Sequence, residues 1–249
     1  SAVARVTSDR IALWSSSAHP FLVRSELAHM FGYPHSNVEV IVPFVGGAYG
    51  SKSGGKIEPL VVALARKAQR PVRGALNVAE AMATCRRHAI KCKLKTGVKK
   101  DGTLVAKQAE IYLNTGAYAE TGPIVTGRTL TRILGPYRYP NLKINSYCVY
   151  TNTVSAASFR SIGGPQTAWA TESQMDMIAD RLGIDPLELR LKNLLKKGDL
   201  YTAGDTPVDC DLEEGLRKVA ETIKWQERDT IPNRGKGLSC CIKDGGGTY

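Results

Sequence analysis

One arginine stands next to a glycine turn at the start of an amphipathic pattern, in the segment SFRSIGGPQ (residues 158–166). Glycine lets a backbone approach a ligand closely, and Pro165 suits the first turn of a helix, where its missing N–H has no intrahelical partner to lose. The N–H groups at a helix start attract anions. The sequence of Arg160 followed by Gly163 and Gly164 therefore predicts a binding site for a phosphate or another oxyanion.

A second glycine cluster, GGAYGSK (residues 46–52), comes far earlier in the chain. The alternating segment 37–45 predicts a strand that leads into it, and the Leu- and Val-rich segment 56–69 predicts the helix that follows. A glycine loop between a strand and a helix is typical of a backbone that contacts a ligand. The two glycine segments are therefore interpreted together.

The other elements position these two loops. They are predicted in chain order as a hairpin (5–16), a helix (17–31) ending at Gly32, a strand (71–76), a short helix capped by Asn77, a hairpin (86–98 and 103–114), an irregular segment (114–135), a strand (140–150), a long helix ending at Gly183, helices from Asp185 and over 212–223, and a strand (237–242). The first helix is expected to bury Phe21, Leu22, Leu27, Met30 and Phe31, and the long helix Trp169 and Met175. The pattern predicts an α+β fold, with mixed sheets, packed helices and two intertwined sub-domains.

Composition narrows the function classes. The chain has 249 residues, 43% of them hydrophobic, and a formal net charge of +11. No apolar run is long enough to span a bilayer, and no basic block interleaved with aromatics indicates nucleic-acid binding. The six cysteines show no metal-ligand spacing, which favours a reduced, cytoplasmic protein with no metal bound directly by the chain. The positive charge is interpreted as facing an anionic cofactor and partner polypeptides.

Four segments together carry a family resemblance. They are WSSSAHPFLVRSELA (14–28), GGAYGSK (46–52), GRTLTRILGPYRYPN (127–141) and SFRSIGGPQ (158–166), and DPLELRLKNLL (185–195) with KKGDL (196–200) adds to them. The chain resembles the first half of the molybdopterin-binding domain of the molybdenum hydroxylases, the xanthine dehydrogenase, aldehyde oxidase and carbon monoxide dehydrogenase family. The resemblance covers nearly the whole chain, so residues 1–249 are expected to form one such domain, its N-terminal half.

The resemblance implies a cofactor and a reaction. Members of this family hold molybdenum on a pterin dithiolene whose tail is a phosphate or a dinucleotide, the cytosine form being one alternative. They oxidise a substrate carbon with oxygen from water and pass electrons through 2Fe-2S centres to FAD, which lie on partner domains or subunits. The protein supplies binding, orientation and electrostatics.

The resemblance also implies residue roles. Tyr49 and Gly50 match the loop that presents its backbone to the molybdenum ligands, and Arg160 matches the arginine near the pterin and the metal. The other implied cofactor contacts are Gly47, Ala48, Gly163, Gly164 and Gln166. Ile162 stands where xanthine-type enzymes place a phenylalanine over the substrate. Arg128 matches the arginine that holds substrate and stabilises developing negative charge.

Three departures limit the substrate. Ala18 replaces a glutamine near the metal, so that polarising contact is missing or comes from Ser17 or water. Ser53 replaces the glutamate that orients purines, and Ser161 replaces the cysteine that binds copper in carbon monoxide dehydrogenases. An aldehyde or an N-heteroaromatic substrate remains.

The family's catalytic glutamate belongs to a later segment, and neither Glu58 nor Glu80 matches its motif. The chain is therefore expected to need the C-terminal half of the domain, and either a trimmed chain or a natural split subunit would explain its end. A non-catalytic cofactor-binding or assembly module remains the alternative function.

Overall fold

The structure is a computed structural model that describes residues 1–201, 207–227 and 231–242. The chain divides into two compact units, and it passes from one to the other several times along its length. Unit 1 comprises Ser1–His88, Thr115–Gly122 and Tyr150–Ile162, and unit 2 comprises Ala89–Asn114, Pro123–Val149 and the chain from Gly163 onward. The prediction of an α+β fold with two intertwined sub-domains is confirmed.

Unit 1 is built on a four-stranded sheet in the order β3-β2-β1-β4. Its strands are β1 (Ala2–Val6), β2 (Ile11–Ser15), β3 (Val38–Ile41) and β4 (Val72–Gly74), and its helices are α1 (Pro20–Phe31), α2 (Glu58–Ala68) and α3 (Val78–Thr84), with a 3-10 turn over His35–Asn37. β1 pairs antiparallel with β2 and β4, and β3 lies parallel to β2. The predicted strand over residues 37–45 is shorter in the structure, and residues 42–45 lead into the glycine cluster as irregular chain.

Local signals end α1 and begin α3 as predicted, but the expectation that the first helix begins at residue 17 is wrong, because α1 begins at Pro20 with no side-chain cap. Gly32 ends α1 with a left-handed backbone, and Asn77 caps α3 in a reciprocal capping box with Glu80. The buried face of α1, however, consists of Val23, Leu27 and Ala28, with Phe31 packed beside it. The expectation that Phe21, Leu22 and Met30 are buried is wrong, because all three side chains are exposed.

Unit 2 pairs a three-stranded sheet, in the order β5-β6-β7, with four helices. Its elements are β5 (Ala89–Val98), β6 (Leu104–Gly116), α4 (Gly122–Arg132), β7 (Asn141–Tyr150), α5 (Gly164–Leu182), α6 (Pro186–Asn193) and α7 (Leu212–Thr222). β5 and β6 form the predicted antiparallel hairpin around Asp101 and Gly102. Asp185 caps α6 through the backbone N–H groups of Leu187 and Glu188.

Three predictions in unit 2 are wrong. The segment expected to be irregular contains α4, and residues 237–242 form no strand. Met175 is buried as expected, but the Trp169 side chain is 73% exposed. The buried line of α5 runs through Thr167, Thr171 and Met175, and Trp169 projects from the other side of the helix.

A buried ion pair lies at the centre of unit 2. The Arg190 guanidinium is fully buried and donates to Glu172 Oε2 at 3.0 Å. The same carboxylate accepts from Tyr137 OH at 2.7 Å and from the Cys240 backbone N–H at 2.8 Å. Burial, with Glu172 nearby, raises the pKa of Tyr137, so its hydroxyl stays a donor. The backbone N–H of Cys240 thus bonds to a buried carboxylate instead of a neighbouring strand.

Lys107 makes the stability of unit 2 depend on pH. Its side chain is 1% exposed and donates to Thr171 Oγ1 at 3.1 Å. Burial lowers the pKa of Lys107 from 10.5 to about 8. The unfolded chain therefore holds this proton more tightly than the folded chain. We predict that this group adds about 2–3 kcal/mol to the free energy of unfolding as the pH rises from about 7 to about 10.

Urea unfolding of the wild type and of Lys107→Met at both pH values measures this contribution. Subtracting the two pH dependences removes the other titrating groups. Equal pH dependence in the two proteins would contradict the prediction.

None of the helices in the part of the chain that the structure describes is long and apolar enough to cross a membrane.

Candidate functional site

Residues 46–53 and 158–162 of unit 1 meet backbone to backbone. The Arg160 N–H donates to the Tyr49 carbonyl oxygen at 2.8 Å. Gly50 has φ +101°, and a Cβ built there would overlap the carbonyl group of Ser158. Only glycine fits at this junction, so the two predicted loops are in direct backbone contact.

The junction concentrates unusual backbone conformations. Tyr49, Ser161 and Ile162 have φ values of 50°, 72° and 30°, in the left-handed region that side chains other than glycine rarely adopt. Gly163 follows with φ 85°. Such residues cost of order 1–3 kcal/mol each and persist where the surrounding structure imposes them, commonly at ligand sites.

A third segment joins the same loop. The Ala18 N–H donates to the Lys52 carbonyl oxygen at 2.9 Å, and the Ser17 hydroxyl lies 3.4 Å from the same oxygen. Ser17 Oγ also accepts from the His19 N–H at 3.1 Å, and Ser17 is buried. Ser53 N–H donates to Gly50 O at 3.3 Å. Ser17 thus serves to hold the loop.

Two guanidinium groups and two aromatic rings line this junction. Arg160 Cζ lies 5.4 Å from the centre of the Tyr49 ring, and Arg87 Cζ lies 4.4 Å from that of Phe159. Arg87 also donates to the Arg160 carbonyl oxygen at 3.3 Å. The Tyr49 ring covers Gly47, where a Cβ would overlap it. Arg87 and Phe159 are contacts that the sequence interpretation missed.

These groups fit a planar anion. The Tyr49 side chain is 64% exposed and Phe159 44%. Exposed aromatic rings beside guanidinium groups suit a flat, negatively charged ring system, through stacking and charge. Within the described residues, no cluster of three or more His, Cys, Asp or Glu side chains could hold a metal ion.

The remaining predicted residues lie in unit 2. Gly163 caps α5, and a Cβ there would approach Thr129 Cγ2 to 2.8 Å. The start of α5 therefore packs closely on α4, the helix that carries Arg128. Gly164 and Gln166 lie in the first turn of α5, and the Thr167 hydroxyl bonds to the carbonyl oxygens of that turn. Pro165 occupies the first turn, as predicted.

The acidic residues near the loops have structural roles. Glu58 is buried and accepts from Ser15 Oγ at 2.5 Å and from the Lys56 and Ile57 N–H groups at 2.6 and 3.0 Å. Glu80 closes the capping box of α3. Both carboxylates are occupied by contacts that hold helix starts.

The structure thus gathers Ala18, Gly47, Ala48, Tyr49, Gly50, Ser53 and Arg160 in unit 1, together with Ile162, and places Arg128, Gly163, Gly164 and Gln166 in unit 2. The contacts of Arg87 have no local sequence signal, because they join residues far apart in the chain.

Comparison with known families gives a match over residues 1–194 to the molybdopterin cofactor-binding domain. The chain is 35% identical over 243 residues to the xanthine dehydrogenase molybdenum-binding subunit of Escherichia coli O157:H7, covering 93% of this chain and 32% of the relative. It is 34% identical to the nicotinate dehydrogenase large molybdopterin subunit of Eubacterium barkeri, covering 85% of this chain and 51% of the relative. The chain therefore spans about a third to a half of these two relatives.

A comparison with solved structures is consistent with this family. The fold superposes on the aldehyde oxidoreductase from Desulfovibrio gigas with a TM-score of 0.83 and 31% identity, covering 90% of this chain and 25% of that one.

Proposed function

Because the chain belongs to the molybdopterin cofactor-binding domain family, we propose that residues 1–249 form the first half of the cofactor-binding domain of a molybdenum hydroxylase. The observation that supports this best is the junction of Tyr49 and Gly50 with residues 158–160, since it joins the two motif loops by a backbone hydrogen bond. The relatives named above include dehydrogenase subunits.

In this proposal each loop has a distinct task. Gly47, Ala48, Tyr49 and Gly50 offer backbone to the cofactor, and Arg160 supplies positive charge beside it. Gly163, Gly164 and Gln166 provide a helix start that favours an anion. When bound, the molybdenum cofactor supplies the redox chemistry that adds a water-derived oxygen to the substrate.

The substrate is an aldehyde or an N-heteroaromatic compound. Ser53 offers no carboxylate to orient a purine, and Ser161 offers no thiolate for copper. Ile162 leaves an aliphatic surface where a flat substrate lies. Ala18, whose backbone N–H already bonds to Lys52, brings no polar side chain to the metal's surroundings.

The complete enzyme requires further polypeptide. We propose the C-terminal half of the domain, an iron–sulfur partner with 2Fe-2S centres and an FAD partner, and a phosphate or dinucleotide tail on the pterin. The six cysteines are free, which agrees with a reducing compartment, and we propose the cytoplasm.

The test joins this chain to the rest of its large subunit and its partner subunits and measures dye reduction. We expect turnover with benzaldehyde or nicotinate, and none with hypoxanthine or carbon monoxide. Purine oxidation would overturn the substrate class. A stable complex without molybdenum would favour the non-catalytic module.

Arg128 gives a sharper prediction for that enzyme. If its guanidinium stabilises negative charge that develops during the reaction, Arg128→Met should lower kcat by about 10²–10³-fold and change KM much less. Arg128→Lys, which keeps a charge without the planar fork, should retain part of the rate. Steady-state kinetics at equal molybdenum content measures both. A pure KM effect would contradict the role.

A further inference from the structure

The three-stranded sheet of unit 2 has one covered face and one open face. Ala109, Ile111 and Leu113 on β6 are fully buried, and Lys107 on that side bonds to Thr171 of α5. Side chains alternate across a strand, so the neighbouring positions point away from this core. The open face carries four lysines and two stacked tyrosines: Lys91, Lys93, Lys95, Lys143, Tyr112 and Tyr147.

The tyrosines form the centre of this open face. The rings of Tyr112 and Tyr147 lie 5.0 Å apart with 16° between their planes. Lys93 lies 5.6 Å from the centre of the Tyr112 ring. Tyr147 remains 45% exposed. A rigid aromatic pair flanked by cations is typical of protein recognition surfaces, where tyrosine is enriched.

The charge on this face is not balanced within the described residues. Glu110 lies 3.3 Å from Lys93, which raises the pKa of that lysine through their hydrogen bond. Elsewhere in residues 1–201, 207–227 and 231–242, no carboxylate forms an ion pair with Lys91, Lys95 or Lys143. Lysines on edge strands commonly prevent strand-to-strand aggregation, but that role does not account for the tyrosine stack between them.

We infer that this open face is a docking surface for an acidic, extended segment of another protein. Alternate positions of β5 are occupied by Lys91, Lys93 and Lys95. The Cα atoms of neighbouring lysines in this row are therefore about 7 Å apart. An extended chain with acidic residues at every second position presents carboxylates on one side with the same spacing. Glu110 is already paired with Lys93, so Lys91, Lys95 and Lys143 are the cations left to meet these carboxylates. Long-range attraction gives a fast, salt-sensitive encounter.

The test uses the full chain and a fluorescein-labelled peptide of repeated Glu-Thr, with fluorescence anisotropy as the readout. The triple variant Lys91→Gln, Lys95→Gln, Lys143→Gln should bind about tenfold more weakly. The control variant Lys67→Gln, Lys196→Gln, Lys197→Gln removes the same charge from other exposed sites and should stay within about twofold of the wild type. Tyr147→Ala should weaken binding without changing its dependence on salt.

A second peptide has the same composition with its glutamates in one block, and weaker binding of this peptide is expected. Equal losses in the two triple variants, or equal binding of the two peptides, would overturn the inference. Tighter binding of duplex DNA that the first triple variant alone abolishes would overturn it in favour of a nucleic-acid surface.

Discussion

Gly50→Ala is expected to lower the free energy of unfolding by about 3 kcal/mol or more and to open the junction of the two loops. At φ +101° an alanine is strained, and its Cβ would overlap the Ser158 carbonyl group. The Ser158 carbonyl oxygen belongs to the backbone and cannot rotate away from the added Cβ. Urea unfolding, monitored by tryptophan fluorescence, measures the change.

Gly46 provides a matched control. Its φ of +66° is also left-handed, but a Cβ there would have no atom within 4 Å. Gly46→Ala should therefore cost only the backbone strain, about 1–2 kcal/mol. If the two variants were equally stable, the loops would not meet as described.

Arg190→Met is expected to destabilise the chain by about 3–5 kcal/mol, because it leaves the Glu172 carboxylate buried without its cation. Arg190 makes hydrogen bonds to the Glu172 side chain and main chain and to Asp176. Tyr137 OH and the Cys240 backbone N–H still donate to this carboxylate in the variant, but they carry no positive charge to balance it. Chemical unfolding measures the first effect.

Arg217 provides the control, because its ion pair lies on the surface and should contribute little to the free energy of unfolding. Its pair with Glu213 on α7 is exposed, so Arg217→Met should change the free energy of unfolding by only about 0.5 kcal/mol. The double variant Arg190→Met, Glu172→Met should recover part of the loss, because no charge is left buried although Tyr137 and Cys240 lose their acceptor. Equal effects of Arg190→Met and Arg217→Met would contradict it.

Local signals predicted much of the fold. Asp101 and Gly102 form the hairpin turn, Gly32 and Gly183 end their helices, and Asn77 begins another. Each signal acts through the conformation of a few neighbouring residues. Such effects can be inferred without knowledge of the packing.

Packing explains what could not be predicted. The sequence of α4, GPIVTGRTLTR, is rich in residues with low helix propensity. Its burial of Val125, Thr126 and Thr129 stabilises a helix there, although Pro123 in the first turn was a signal in its favour. In α5 the buried line contains threonines and Glu172, so a search for apolar residues put Trp169 on the wrong side.

The candidate site was predictable in part for the same reason. The glycine loops were recognisable because glycine adopts backbone conformations that other residues rarely adopt. The contact of Gly50 with Ser158 and the approach of Arg87 to Phe159 depend on tertiary structure. Unit 1 brings these distant segments together, and no local pattern encodes that.

The most direct test of the central claim measures molybdenum and pterin in the complete large subunit containing this chain. We expect close to one molybdenum and one pterin per subunit in the wild type and in Gly46→Ala, and a large loss of both in Gly50→Ala at temperatures where the variant remains folded. A folded wild-type subunit that carries neither, or a Gly50→Ala subunit loaded like the wild type, would contradict the account.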